Sequence, residues 1–277
     1  MKETTDTMKK NLFRLLVFAA VLLVACACAT VPVTGRKQLS LVPATTMLSM
    51  SRQQYGAFLQ ESTVSTDAEK TAVVREVGGN IQRAVERYHT QRGMSRELSN
   101  YDWEFNLIES DDINAWAMPG GKIAVYTGML PVAGDENGLA VVIGHEIGHA
   151  VAGHGGERMS HLLMVQMGGM ALSAALADHP RATQELWMMA FGLGAQIGFI
   201  LPYSRLQERE ADRLGLIFMA MAGYDPAQAL TFWERLSAEK KGTAPPVFLS
   251  THPTDEQRVR TIRSLLPEAR RYYEERR

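Results

Sequence analysis

The chain has 277 residues, 46% hydrophobic and 21% charged, a profile that excludes a disordered polymer, a collagen-like fibre and a polytopic membrane protein. Lysine and arginine total 29 against 30 aspartates and glutamates, a formal net charge of −1 with no long run of like charge, so nucleic-acid binding has no electrostatic support. The only cysteines, Cys26 and Cys28, share one apolar stretch and cannot tie distant parts of a core together.

Lys9, Lys10 and Arg14 precede the apolar run Leu15 to Ala25, a basic flank and core of secretory-signal length that is too short for a membrane span. Glu3 and Asp6 weaken that flank, so Met8 reads as the better start. The run ends in Leu23-Val24-Ala25-Cys26, which resembles a bacterial lipobox. Residues 1–25 are therefore expected to be a lipoprotein signal peptide, with the lipid on Cys26. Cys28, preceded by the small Ala27, is the alternative, but Leu23 three positions upstream favours Cys26. An ordinary signal peptide cut near Ala27 or Ala29 is the competing reading. Ala27, standing where Asp would follow the lipidated residue, resembles lipoproteins sent to the outer membrane, so the expected location is its periplasmic face.

Residues 26–41, with Pro32 and Gly35, read as a lipidated terminus and tether, and residues 42–277 as one catalytic domain. A helix is expected from about Pro43 to Glu61. A second, capped by Thr66 or Asp67, runs to about Tyr88, with Val73, Val74, Val77, Ile81 and Val85 at helical spacing. Strand alternation follows at Trp103, Phe105 and Leu107, and again at Ile123, Val125 and Tyr126 after Pro119-Gly120-Gly121. From Glu136 to about His154 the pattern is helical again. Further helices are expected near 160–176, 185–200, 204–222, 226–240 and 254–275, the last with arginines on its exposed face. Segments 162–177 and 186–201 are apolar but short for membrane spans, and they read as buried or groove-lining helices.

The chemistry begins at His145-Glu146-Ile147-Gly148-His149. Residues four apart on a helix share a face, so both imidazoles can reach one zinc, while Glu146 lies about 100° round, toward a water at the metal. A catalytic zinc takes three protein ligands and keeps one position open. Ala152 and Gly155 stand where a metzincin would have Gly and His, and His154 falls about 180° round a continuing helix, so it reads as structural. Glu208, in the segment Tyr203 to Asp212, is the natural third ligand, and the two apolar segments supply the excursion to it. Asp212, one turn further, can hydrogen-bond a ligand imidazole or contact the reaction centre. Without the histidine motif, these acids would read as a solvated face paired with Arg205, Arg209 or Arg213.

At these residues the chain resembles the zinc metallopeptidases of the HtpX and CAAX prenyl protease type, most closely their BepA-like lipoprotein or periplasmic branch. The likeness is carried by CATVPVTGRKQL from Cys28, by Asn114 to Gly121 and the strand after it, by HEIGH at 145–149, by YSRLQEREAD at 203–212, and by Ser250-Thr251-His252-Pro253. It implies an α+β, mainly helical fold: a compact zincin-like domain with a small mixed β-sheet. It also implies one Zn²⁺ per chain on His145, His149 and Glu208, with Glu146 as general base and Asp212 as proton donor or orienting group. His252 is then either a latch in the fourth zinc position or simply a helix-start residue before Pro253.

The reaction so implied is hydrolysis of peptide bonds in unfolded or misassembled cell-envelope proteins. Lys122, Ile123, Ala124, Val125 and Tyr126 would be the strand on which an extended substrate pairs. Other expected partners are the membrane, through the lipid anchor, and envelope assembly complexes. The competing readings are a lipoprotein acting mainly as a zinc-regulated binding or assembly factor, and an integral-membrane protease.

Overall fold

The computed structural model describes residues 28–196, 200–239, 246–253 and 256–275. The expected signal peptide and Cys26 lie outside the described residues. Two short strands, β1 (Cys28–Thr30) and β2 (Lys37–Leu39), pair antiparallel. The expected tether is thus, from residue 28, a folded hairpin: Val31 is fully buried in the core, and Gly35 turns the chain at φ 72°. Helix α1 (Ala44–Glu61) follows, then α2 (Ala68–Gln91), where Asp67 caps the first turn by accepting from the Lys70 N–H at 3.0 Å. Val74, Val77, Ile81 and Val85 of α2 are all fully buried, as their spacing predicts.

Three strands make the main sheet: β3 (Glu104–Ile108), β4 (Ala115–Met118) and β5 (Lys122–Tyr126). Their order is β3-β5-β4, with β3 parallel and β4 antiparallel to β5, a small mixed sheet. β5 is therefore central and has no free edge, which overturns its expected role as the strand offered to substrate. Ile123 and Val125 are buried in the main core on one face of β5, and Ala124 is buried beside Tyr55 of α1 on the other. The free edge beside the site belongs to β4. Its sequence, Ala-Trp-Ala-Met, carries no apolar/polar alternation and so gives no strand signal.

Helices α3 (Met129–Ala133) and α4 (Glu136–Val151) come next. Every residue of α4 from Gly138 to Val151 is buried, as expected of a helix that is apolar almost all round. Around it pack α2, the sheet, α7 (Leu201–Ala222) and α8 (Gln228–Ala238), with α9 (Val247–Thr251) and α10 (Glu256–Glu275) closing the domain. Between α4 and α7 the chain makes α5 (His154–Ala175) and α6 (Arg181–Ala195), which pack on each other. Of the two expected placements, buried or groove-lining, α6 does not take the first: it has no buried residue, and Leu186, Trp187 and Met189 are exposed. Apolar composition favours a helix here without supplying a surface to cover it. Among the described residues, no helix is long and apolar enough to cross a membrane.

Candidate metal centre

Two helices build the centre by approaching unusually closely. A Cβ on Gly148 of α4 would sit 2.8 Å from the Ala211 carbonyl oxygen of α7, and one on Gly144 would sit 3.0 Å from that of Gly215. These small residues let the backbones touch, which brings Glu208 and Asp212 of α7 onto the face of α4 that carries His145 and His149. Gly148→Val is accordingly expected to lower stability by about 1–3 kcal/mol through overpacking. A chemical-denaturation midpoint equal to the wild type's would contradict this packing.

The side chains converge on one point. His145 Nε2 lies 3.1 Å from His149 Nε2 and 3.1 Å from His252 Nδ1. The Glu208 carboxylate reaches His149 Nε2 at 3.2 Å, His252 Nδ1 at 3.0 Å and His145 Nε2 at 3.4 Å. One ligand atom from each of the four residues lies within 4.8 Å of the others, and all four residues are buried. A tetrahedral zinc with ligands at 2.0–2.1 Å holds its ligand atoms about 3.3 Å apart, so the spacing and the His/His/Glu/His donor set both fit the ion. His252 is placed by α9, where its N–H donates to the Phe248 carbonyl at 2.8 Å and its ring packs on the Phe248 ring.

Glu146 adds a second sign of fit. Its Oε1 is buried, 3.5 Å from His252 Nε2, and has no hydrogen-bond partner. A buried polar atom left unpaired is costly and rare, and here it is aimed at the reaction centre. Burial raises the Glu146 pKa, with His252 and His145 pulling the other way. Burial would raise Glu208 too, but its close contacts with His149, His145 and His252 hold it well below the usual carboxylate range.

The remaining polar groups touch the cluster from behind. Asp212 Oδ1 lies 3.0 Å from His145 Nδ1, and the same carboxylate accepts from Arg258 Nε at 3.0 Å and Nη2 at 2.7 Å. Burial works against ionisation of Asp212, yet the Arg258 guanidinium and His145 hold its pKa below the ordinary value. Arg258 also pairs with Glu208 at 3.0 Å and stacks over Trp233 at 3.7 Å. This arginine, expected on an exposed face, is in fact buried. The signal in the sequence was indirect: two acids on the inner face of α7 require a cation, and several arginines were available. His154, expected half a turn round a continuing helix, instead reaches His149. Gly153, at φ 72°, ends α4 and turns the chain back, so that His154 Nδ1 lies 2.8 Å from His149 Nδ1.

Alongside the cluster runs a cleft of ≈ 180 Å³, lined by Trp116, Ala117, Glu146, His149, Arg158 and His252 among others. A larger groove of ≈ 350 Å³ lies under the N-terminal hairpin and holds none of the four clustered residues. The position of the smaller cleft, between β4 and the cluster, makes it the better place for substrate.

Fold and site together define a mainly helical metallopeptidase domain. The sequence profile of peptidase family M48 matches residues 76–266, and the chain belongs to that family. It is 37% identical over 190 residues to the mitochondrial metalloendopeptidase OMA1 of Schizosaccharomyces pombe, covering 68% of this chain and 53% of that protein. The mitochondrial metalloendopeptidase OMA1 of Bos taurus is 33% identical over 246 residues, 86% of this chain and 46% of its own length. The beta-barrel assembly-enhancing protease of Escherichia coli is 28% identical over 183 residues, 58% of this chain and 34% of that protein. The chain thus spans about half the length of the mitochondrial relatives it matches. The expected likeness to the BepA-like branch is present, but the mitochondrial proteins match at higher identity.

Proposed function

We propose that the chain is a zinc-dependent endopeptidase that cleaves unfolded or misassembled proteins of the cell envelope. The carrying observation is the buried meeting of His145, His149, Glu208 and His252 beside the unpartnered Oε1 of Glu146, in a chain of a peptidase family. His145, His149 and Glu208 hold the ion in this reading. When bound, zinc supplies the Lewis acid that polarises a peptide carbonyl and acidifies water. Glu146 Oε1 takes the proton from the attacking water and delivers it to the leaving amine nitrogen. Asp212 accepts the His145 Nδ1 proton and so turns Nε2 toward the ligand set, an orienting role rather than proton donation. Buried side chains around the cluster, Trp233 and Phe248 among them, limit access of bulk water.

Substrate pairs with β4 instead of β5. The bond from the Tyr126 N–H to the Asn114 carbonyl sets the alternation in the ladder, so Ala115 and Ala117 direct their N–H and C=O groups to the free edge. Ala117→Pro removes one of these donors, which also reaches the Glu146 carboxylate, without breaking the ladder to β5. One backbone hydrogen bond is worth about 0.5–1.5 kcal/mol, so KM for an extended peptide is expected to rise by about 2–12-fold with the thermal midpoint unchanged. An unchanged KM would remove β4 from substrate binding.

His252 in the ligand set favours a closed resting state, in which the same cleft is shut until the loop carrying it withdraws. His252→Ala is expected to keep zinc and to cleave faster than the wild type. Slower cleavage with zinc retained would make His252 part of the working site instead. The lipobox-like run supports a lipid anchor on Cys26 and a place on the periplasmic face of the outer membrane. Mass spectrometry of the mature N-terminus tests the anchor, and an unacylated terminus would refute it.

A further inference from the structure

The N-terminal hairpin reaches the metal centre through a chain of four side chains. Its turn is closed by the Gly35 N–H on the Val31 carbonyl and by the Val31 N–H on the Arg36 carbonyl, each at 2.8 Å. From this turn the side chain of Arg36 enters the domain and is only 15% exposed. Its Nη1 and Nη2 donate to the two oxygens of Glu157, each at 2.7 Å, and its Nε donates to Glu210 Oε2 at 2.6 Å. The Thr34 hydroxyl donates to the other oxygen of Glu210. A planar guanidinium bridging two carboxylates in this way has no equivalent in the point charge of a lysine.

Glu210 is not one of the clustered residues, yet it leads to one. Its Oε2 lies 3.0 Å from His154 Nε2, and His154 Nδ1 lies 2.8 Å from His149 Nδ1. Hydrogen-bond bookkeeping gives the run a direction. An ionised carboxylate only accepts, so His154 Nε2 donates to Glu210, and Nδ1 of the neutral ring is left as an acceptor. His149 must then carry its proton on Nδ1, which leaves the lone pair on Nε2, the nitrogen facing His145 and Glu208. The opposite direction would place the His149 proton on Nε2, inside the ligand set.

We propose that Thr34 and Arg36 are positioning residues of the metal centre: by clamping Glu210 they fix His154, and through it the ring and tautomer of His149. The hairpin that follows the expected lipid anchor is then a working part of the site, and undocking it loosens the metal. The inference rests on the metallopeptidase reading above. Removing a group that orients a ligand histidine typically costs about 10–100-fold in metal affinity or activity, and that is the size of effect expected here.

The test uses the full chain and reads zinc affinity by chelator competition, with kcat, KM and the thermal midpoint of the same samples. Arg36→Met is expected to weaken zinc binding about 10–100-fold and to lower kcat with KM nearly unchanged, and Arg36→Lys fails to rescue either. Thr34→Val keeps the arginine and is expected to weaken zinc binding by a smaller factor, which preserves the test if Arg36→Met does not fold. Lys37→Met, which removes only the exposed bond to the Thr30 hydroxyl, leaves zinc affinity unchanged. A purely structural role predicts a lower thermal midpoint in Arg36→Met and Thr34→Val with wild-type zinc affinity in the folded protein, and that result overturns the proposal. A wild type that binds no zinc overturns the metallopeptidase reading and this inference together, whereas a zinc-binding wild type with equally tight variants overturns the inference alone.

Discussion

Glu146→Gln is expected to retain its zinc and lose about 10²–10⁴-fold in protein cleavage, the usual worth of a positioned general base. The substitution keeps the shape of the side chain and leaves all four clustered residues in place, so metal content reports the ligand set and turnover reports the base. Buried Oε1, without a partner and 3.5 Å from His252, is the atom this prediction concerns. An amide there cannot take the proton of the attacking water. Wild-type cleavage by the variant would assign the base elsewhere, and loss of zinc along with turnover would mean that Glu146 holds the site together rather than working in it.

Arg258→Met is expected to be the most destabilising of the substitutions at the site. Arg258 neutralises Asp212 by two hydrogen bonds, pairs with Glu208 and covers Trp233, all within the interior. Taking one partner from a buried ion pair leaves an uncompensated charge, at a cost of about 3–5 kcal/mol, even though the intact pair contributes little net stability. Bound zinc offsets the charge of Glu208, so the loss should be larger in chelated than in zinc-loaded protein. Equal denaturation midpoints for wild type and variant in chelator would show that the acids have another counter-charge.

How much of this was legible in the sequence depended on the range over which each signal acts. HEIGH was readable because helical geometry alone puts His145 and His149 on one face. Glu208 was readable because a catalytic zinc needs a third ligand and the EREAD segment supplies an acid on a helix. The long periodic helices emerged within a few residues of their bounds, α2 and α7 among them. One glycine was enough to hide where His154 sits: a residue at φ 72° sends the next helix back across the last, and periodicity cannot register that.

The other misreadings share a cause, which is dependence on distant partners. β5 looks like an edge strand in isolation, and only its pairing with both β3 and β4 makes it central. Pro32 and Gly35 made the first described residues look like a tether, although the same turn delivers Arg36 to Glu157 and Glu210, acids far away in the chain. Arg258 is indistinguishable by pattern from its exposed neighbours on α10 until Asp212 and Glu208 stand opposite it. α6 shows the reverse case, apolar composition with no surface to cover it.

The most direct measurement is cleavage of an unfolded protein by the full chain, as purified, after chelation, and after zinc is restored to the chelated sample. His252→Ala run in parallel removes the expected latch, so a closed resting state cannot mask the activity. Cleavage that disappears with the metal and returns with it is the expected result. Cleavage that survives complete zinc removal, or zinc-loaded wild type and His252→Ala that are both folded and both inert, would contradict a metal-dependent peptidase built on His145, Glu146, His149 and Glu208.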